Sequence, residues 1–451
     1  MSNLLTDLKT FDRSLPRYTS YPTAPIWGTL SDLEYKEHLS KIGTEAVSLY
    51  VHVPFCHSMC LYCGCSVVLN RKRENEERYV KALQKEIKLL PFKKKEVTQL
   101  HFGGGTPTKL TLEDFEALFE TLQERFAFSK NAEIAIEIDP RTVYGDGGEK
   151  LEGLKRLGFN RVSFGVQDTD PDVQEAVKRR QSRQMTEETF HRAKAIGFEG
   201  GINIDLIYGL PYQTEETFRR TAEEISALGP DRIALFSYAK VPWLKEHQKA
   251  IKDETLPSTE EKFRLYVAAR EIFFQAGYIA LGMDHFAKKD DSLALGLQNG
   301  TLGRNFQGYT LKASPLLIPL GITAIGDLGT GYFQNEKELS SYYEALDQNR
   351  LPIHRGLILT EEDHLRRYVI HTLMCRFQLD KKVFQEKFGV SFDTHFEQAK
   401  EGLSPFLENG FVVDNETKLS ITSRGQLFVR NIVSVFDAYL TSSSHRFSKA
   451  V

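Results

Sequence analysis

Six short apolar runs recur along the first half of the chain, and helical stretches lie between them. No other feature limits the fold as strongly. The runs are Ser48–Val53, Val97–Phe102, Ile134–Ile138, Arg161–Val166, Gly201–Tyr208 and Arg232–Tyr238. Between them, Glu76–Leu90 and Leu112–Phe126 carry apolar residues three and four apart, the mark of a helix with one buried face. Strands alternating with helices imply parallel βαβ units and a mostly parallel sheet. Parallel strands are covered on both faces, which accounts for runs rich in Val, Ile and Leu. Six units suit a barrel, complete or partial, better than an open doubly wound sheet. Polar residues fall where a barrel would use them. Cys56, Gly103–Thr106, Glu137, Gln167 and Asp205 all lie at or near the C-terminal ends of expected strands, the face that carries the active site in barrels.

The first strand runs into three cysteines, Cys56, Cys60 and Cys63, spaced C-x3-C-x2-C, with Tyr62 just before the third. Three thiolates in one loop can hold three corners of a [4Fe–4S] cube and leave the fourth iron without a protein ligand. An open metal position serves chemistry, as a closed one serves structure. Zinc is the competing assignment, but zinc motifs pair C-x2-C with a second pair of Cys or His farther on. Here the next cysteine is Cys65, two residues along, and after it only Cys375. A disulfide scaffold is not needed by a chain of 451 residues, which can bury a core without staples. Five cysteines, four of them in one loop, fit a reducing cytosol, and a cytoplasmic location is expected.

Charge and hydropathy remove other classes. The net charge of −3 argues against a nucleic-acid partner, which calls for a basic excess. Met1 to Arg17 is polar and charged and lacks the apolar core of a signal peptide. No stretch approaches the ~20 apolar residues of a membrane helix. Neither nucleic acid nor membrane is expected as a partner.

Several motifs offer chemistry along one rim. Gly103-Gly104-Gly105-Thr106-Pro107-Thr108 follows a strand and precedes a helix, and consecutive glycines let backbone groups approach a ligand without side-chain hindrance. Glu137 ends the next strand, where a carboxylate can accept bonds from ribose hydroxyls, as acidic residues do in dinucleotide folds. Gln167 and Asp168 end the strand after that, Arg179 follows in the connection, and Asp205 lies in Ile202–Asp205. The planar, bidentate fork of Arg179 suits a carboxylate partner.

After about Asn349 the pattern changes. Glu361–Phe377, Lys381–Phe388, Phe396–Glu408 and Gly425–Tyr439 read as helices. Between the last two, Phe411–Val413 and Leu419–Ile421 read as a hairpin. Helices with a short hairpin resemble a winged helix. These helices are not strongly basic, so a packing or lid role is expected in place of DNA binding.

The cysteine spacing and the aromatic before the third resemble the radical S-adenosylmethionine (SAM) enzymes. Further motifs are similar to those of the oxygen-independent coproporphyrinogen III oxidases (coproporphyrinogen dehydrogenases) over nearly the whole chain. They are Pro16-Arg17-Tyr18-Thr19-Ser20-Tyr21-Pro22-Thr23, Cys63-Gly64-Cys65, Gly282–Ala287, Arg304–Thr310, Arg430-Asn431-Ile432 and Phe436-Asp437. Haem-binding chaperone relatives, the rival class, typically lack the N-terminal extension and the Cys-Gly-Cys end of the loop. A radical-SAM enzyme acting on another tetrapyrrole is the other alternative. This chain departs from the family pattern at Gly303, where His is usual, and at Gly329-Thr330, where a Gly-Asp pair is usual.

The resemblance implies an α/β fold, a radical-SAM partial (β/α)6 TIM-like barrel with an N-terminal extension and a mostly helical, winged-helix-like C-terminal domain. Residues 1–40 would form the extension and close the active site, 41–348 the barrel and 349–451 the C-terminal domain. It implies one [4Fe–4S] cluster on Cys56, Cys60 and Cys63, and two SAM molecules. Tyr50, Gly104, Glu137 and Ile325 would contact the SAM on the cluster. Tyr62, Gly105, Thr106, Gln167, Arg179, Asp205 and Ala239 match the positions that contact the second. Cys65, His52 and Arg304 stand as candidate catalytic residues, and Arg17, Arg304 and His285 as candidate anchors for substrate carboxylates. The implied substrate is coproporphyrinogen III, with a low-potential electron donor such as flavodoxin or ferredoxin, and a monomer is expected.

Anaerobically reconstituted protein should carry close to one four-iron cluster with near-equal sulfide, as three thiolate ligands imply. Replacing Cys56, Cys60 or Cys63 by Ser should abolish it. Iron, sulfide and zinc analysis checks this, and zinc at full occupancy in protein made anaerobically would refute the cluster.

Overall fold

A computed structural model describes residues 2–311, 316–440 and 447 of the chain. The six expected strands are present. They are β1 (Val47–Val53), β2 (Lys95–Gly104), β3 (Phe126–Ile138), β4 (Arg161–Gln167), β5 (Gly201–Tyr208) and β6 (Arg232–Ser237). Each pairs in parallel with the next. β3 begins eight residues earlier than its apolar run. Lys95–Val97 pairs with Phe126–Phe128 before the register shifts, so main-chain pairing carries the strand through polar residues that periodicity does not reveal.

The helices between the strands are amphipathic and capped. Arg73–Leu89 turns Tyr79, Val80, Leu83 and Ile87 to the sheet. Leu112–Arg125 starts at a capping box, in which Thr111 accepts from the Asp114 N–H and Asp114 bonds back.

The sheet is wider than six strands and stays open. Beyond β1 lie Leu317–Leu320, parallel to it, and then the antiparallel Ile325–Asp327, Gly331–Asn335, Ile353–Ile358 and Gly28–Thr29. Beyond β6 lie His285–Lys288 and Tyr278–Leu281. The outermost strands each have one neighbour, so the barrel is partial. The sheet's Ile353–Ile358 falls past residue 348, the expected end of the barrel. A two-sided, pairing-dependent strand looks like any short apolar run in sequence. Among the described residues, no helix is long and apolar enough to cross a membrane.

The C-terminal region is helical with a small sheet. Glu361–Arg376 and Lys381–Phe388 are helices as expected. The hairpin Val412–Asp414 with Lys418–Ile421 gains a third strand, Gln378–Asp380. Two expected helices are corrected. Phe396 lies between two helices, Phe392–His395 and Ala399–Glu408. Gly425–Tyr439 is broken into the short turns Gly425–Phe428, Val429–Val433 and Ser434–Phe436. Its β-branched residues favour a continuous helix weakly, and its buried Arg430 and Asn431 side chains are drawn to carbonyls of the N-terminal segment.

That segment was expected to close the site, and most of it does something else. Leu8, Phe11, Tyr18 and Tyr21 are part of the C-terminal hydrophobic core. Phe11 stacks on Phe406 with ring centroids 4.9 Å apart. Arg430 donates to the Leu15 and Pro16 carbonyls, Asn431 to Phe11, and the Tyr18 hydroxyl to Asp437 at 3.0 Å. Arg17 and Thr19 line cavities between the barrel and the C-terminal region.

One buried acid ties the outer strands to the barrel. Glu86 accepts from the Gly321 N–H at 2.8 Å, from Asn335 at 2.6 Å and from the Tyr342 hydroxyl at 2.6 Å. Burial outweighs these bonds and raises its pKa to about 7. Glu86→Ala strands three buried partners, and a loss of about 3 kcal/mol is expected, at the upper end for unpaired buried polar groups. Chemical denaturation of the two proteins at equal pH measures it.

Candidate active site

The cysteine loop is held from outside through its backbone. Phe55–Cys56 pairs with Val68–Leu69 and closes the loop at its base. Leu61 N–H donates to the Val177 carbonyl at 2.9 Å. Gln248 donates to the Tyr62 carbonyl at 2.9 Å, His247 meets the Cys63 carbonyl at 2.8 Å and Lys245 donates to the Cys65 carbonyl at 2.7 Å. The Cys56 sulfur lies 3.3 Å from the Thr106 hydroxyl. The Cys60 sulfur lies 3.6 Å from Arg179 Nη1 and 3.9 Å from Arg141 Nη2. A hydrogen bond from Cys65 holds the Cys63 thiol below the ordinary thiol range. Cationic neighbours favour thiolates.

Three glycines pack this loop against the end of β2. Gly105 N–H donates to the Val53 carbonyl at 2.8 Å. A Cβ on Gly105 would lie 2.6 Å from the Pro54 carbonyl oxygen, one on Gly104 2.7 Å from the His52 ring, and one on Gly103 2.9 Å from Glu137. Gly104 also has φ +119°, a conformation that glycine favours.

Above the glycines, Tyr50 with His52 and His101 with Glu137 form two bonded pairs, which meet where Tyr50 stacks on His101 with ring centroids 5.9 Å apart. His52 Nε2 is 2.9 Å from the Ser66 carbonyl, which can only accept, so Nε2 carries the proton. His52 Nδ1 then accepts from the Tyr50 hydroxyl at 3.0 Å. Glu137 accepts from the Gly104 N–H at 3.1 Å and lies 3.3 Å from His101 Nε2. Burial opposes its charge, but His101 and the Gly104 N–H outweigh burial and hold the pKa below the usual carboxylate value.

The opposite rim carries Gln167, Arg179 and Asp205. Gln167 ends β4 with φ +74°. Arg179 is buried, donates to the Gly165 carbonyl, and pairs with Asp139 at 3.2 Å. Asp205 accepts from Asn203 at 2.7 Å and from Ser163 at 3.2 Å. Burial, with the charge of Glu137, raises its pKa to about 7.

Comparison with known proteins gives this arrangement its family. The model of the radical SAM superfamily matches residues 50–225, and that of the HemN C-terminal domain matches residues 359–428. The chain is 40% identical to the oxygen-independent coproporphyrinogen III oxidase of Salmonella typhimurium, over 98% of this chain and 97% of that protein. It is 42% identical to the protein of that name from Helicobacter pylori, over 97% and 96%. The solved structure of coproporphyrinogen III oxidase (HemN) from Escherichia coli, described as a radical SAM enzyme, superposes with a TM-score of 0.89 at 38% identity, covering 95% of this chain and 100% of that one. The chain belongs to the oxygen-independent coproporphyrinogen III oxidase family.

The residues present suit the cofactors of a radical SAM protein. Among the described residues no three donors converge as they would around a single ion. A cube does not ask for that, because each thiolate binds a different iron. The glycine cradle, which a Cβ would fill, suits a ligand taken by backbone groups.

The remaining sequence candidates of this family member are spread more widely. Cys65 is exposed on the cysteine loop beside Cys63. Ala239 lies two residues past the C-terminal end of β6, on the rim side, and Ile325 opens a strand separated from β1 by Leu317–Leu320. Arg304 lies on the hairpin Gly303–Asn305 with Gly308–Thr310, which plugs the N-terminal end of the barrel through Asn305 to Gln99 at 2.9 Å. Arg17 and His285 meet on opposite oxygens of Asp284, each at 2.6 Å, Arg17 as an ion pair and His285 through Nδ1, so both are committed to that carboxylate. The sequence reading passed over Asp139 and Arg141. Arg141 bonds Asp139 at 2.6 Å, and Asp139 joins it to Arg179 beside Cys60. Their Asp-Pro-Arg setting after a strand was the available signal.

Gly105→Ala should displace the cysteine loop and lower iron per chain severalfold. Gly64→Ala, whose Cβ would meet nothing within 4 Å although it lies between two cysteines, should leave iron content unchanged. Iron analysis of both variants after identical reconstitution checks the contrast.

Proposed function

We propose that this protein converts two propionate side chains of coproporphyrinogen III to vinyl groups, giving protoporphyrinogen IX in oxygen-independent haem biosynthesis. The observation that carries this reading is the three-cysteine loop, packed by glycines against the rim of a partial barrel, in a chain that shares its family's length and fold. The C–H bond at the propionate β-carbon is unactivated and resists acid–base chemistry. A [4Fe–4S] cluster with SAM supplies a carbon radical strong enough to take that hydrogen. One hydrogen atom, one CO2 and one electron then leave each propionate as the vinyl group forms.

The chain's own residues bind, orient and exclude water. Cys56, Cys60 and Cys63 would hold the cluster. Gly104 and Glu137, with Tyr50 and Ile325, would hold the SAM bound to it. The ionised Glu137 suits ribose hydroxyl donors, and the His52 proton on Nε2 leaves the Tyr50 hydroxyl fixed in orientation. A second SAM would lie against Tyr62, Gly105, Thr106, Gln167, Arg179, Asp205 and Ala239, with Arg179 facing its carboxylate. A low-potential donor such as flavodoxin or ferredoxin and a cytoplasmic location complete the reading.

Anaerobic incubation of the reconstituted protein with coproporphyrinogen III, SAM and a reductant should yield products that have lost first one and then two carboxyl groups. Mass spectrometry of the oxidised porphyrins reads this directly. Protein that binds haem tightly and leaves all four carboxyl groups in place would overturn the proposal in favour of a haem-carrying relative.

A further inference from the structure

Arg304 is 9% exposed, and among the described residues its Nε and Nη1 have no hydrogen-bond partner. Its guanidinium lies over the Tyr309 ring, 5.3 Å from the centroid. Asp284, the acid that acts on it through space, is already bonded by Arg17 and His285. A buried guanidinium with free N–H groups is costly, because its desolvation is not offset by a partner.

Arg304 lines a cavity of about 260 Å3, far more than one water needs, between the hairpin, the outer strands and the helix Glu361–Arg376. Phe306 and Tyr332 supply aromatic wall. Arg367 also lines it, but is paired with Asp327. His371 lines it too, and burial with the charges of Arg367 and Arg304 pushes its pKa down to about 3. The cavity therefore carries one uncompensated positive charge, which matches one carboxylate.

Its position matters as much. Leu317 on the cavity wall pairs with Ser48, two residues before Tyr50 on β1. Asn305, also on the wall, bonds Gln99, two residues before His101 on β2. Two strand residues span about 7 Å, so along the strands this wall of the cavity lies about that far below the level of Tyr50 and His101.

We propose that this cavity is a carboxylate subsite, in which Arg304 binds a propionate of the tetrapyrrole other than the one being decarboxylated. The inference rests on the function proposed above. Arg304 offers a planar fork that fits a carboxylate bidentately. The aromatic walls take the aliphatic arm.

The test uses full-length, cluster-reconstituted protein with Arg304→Gln and Arg304→Lys. Three quantities are read: iron per chain, kcat and KM for coproporphyrinogen III, and the Kd for coproporphyrin III by porphyrin fluorescence. Loss of a charged hydrogen bond corresponds to roughly tenfold or more. Arg304→Gln should raise KM and Kd by at least about that factor, with kcat and iron little changed, and Arg304→Lys should fall between. Unchanged KM and Kd, or a fall in kcat alone, would overturn the subsite. If Arg304→Gln fails to fold, Arg304→Lys is judged by the same criteria. Wild-type protein that does not turn over coproporphyrinogen III would sink the functional reading, while the Kd comparison would still decide the subsite.

Discussion

The close approach of Gly105 to Val53 and Pro54 is the contact on which the rest of the site depends. Two backbones meet there with no room for a Cβ. That contact sets the start of the cysteine loop against the end of β2. The Tyr62, Cys63 and Cys65 carbonyls are taken by Gln248, His247 and Lys245 from outside. With these carbonyls turned outward and paired, the loop is anchored through its backbone and not through its sulfurs. Buried backbone polar groups are rarely left unpaired, so this division of labour orients the thiols without any metal.

The rim around that loop separates two carboxylates by environment. Glu137 is bonded by a backbone N–H and a histidine and is held ionised. For Asp205, burial and the charge of Glu137 outweigh the bonds from Asn203 and Ser163 and raise its pKa to about 7. Arg179 and Arg141 share Asp139 beside Cys60, which places positive charge next to a thiol. One rim thus presents an anion, a near-neutral acid and a cationic patch to different sides.

The ends of the chain form one core. Phe11 packs among Phe406, Phe411 and Phe428, and Arg430 and Asn431 satisfy carbonyls of the N-terminal segment. The segment's polar composition concealed this, because its few apolar residues are the ones buried. The arrangement holds Arg17 and Thr19 against cavities between the barrel and the C-terminal region.

Local pattern determined the six parallel strands, the helices between them and the cysteine and glycine motifs, because each is written in neighbouring residues and obeys a short period. It also placed Cys56, Glu137, Gln167 and Asp205 on one rim, since strand ends in a parallel barrel must share a face. It did not reveal the outer strands from Leu317 to Ile358, which exist through pairing with partners far along the chain. Nor did it separate Arg304 from Arg17 and His285. All three are cationic or titratable groups in similar motifs. Only the tertiary structure decides that Asp284 engages two of them and leaves the third buried and facing a cavity.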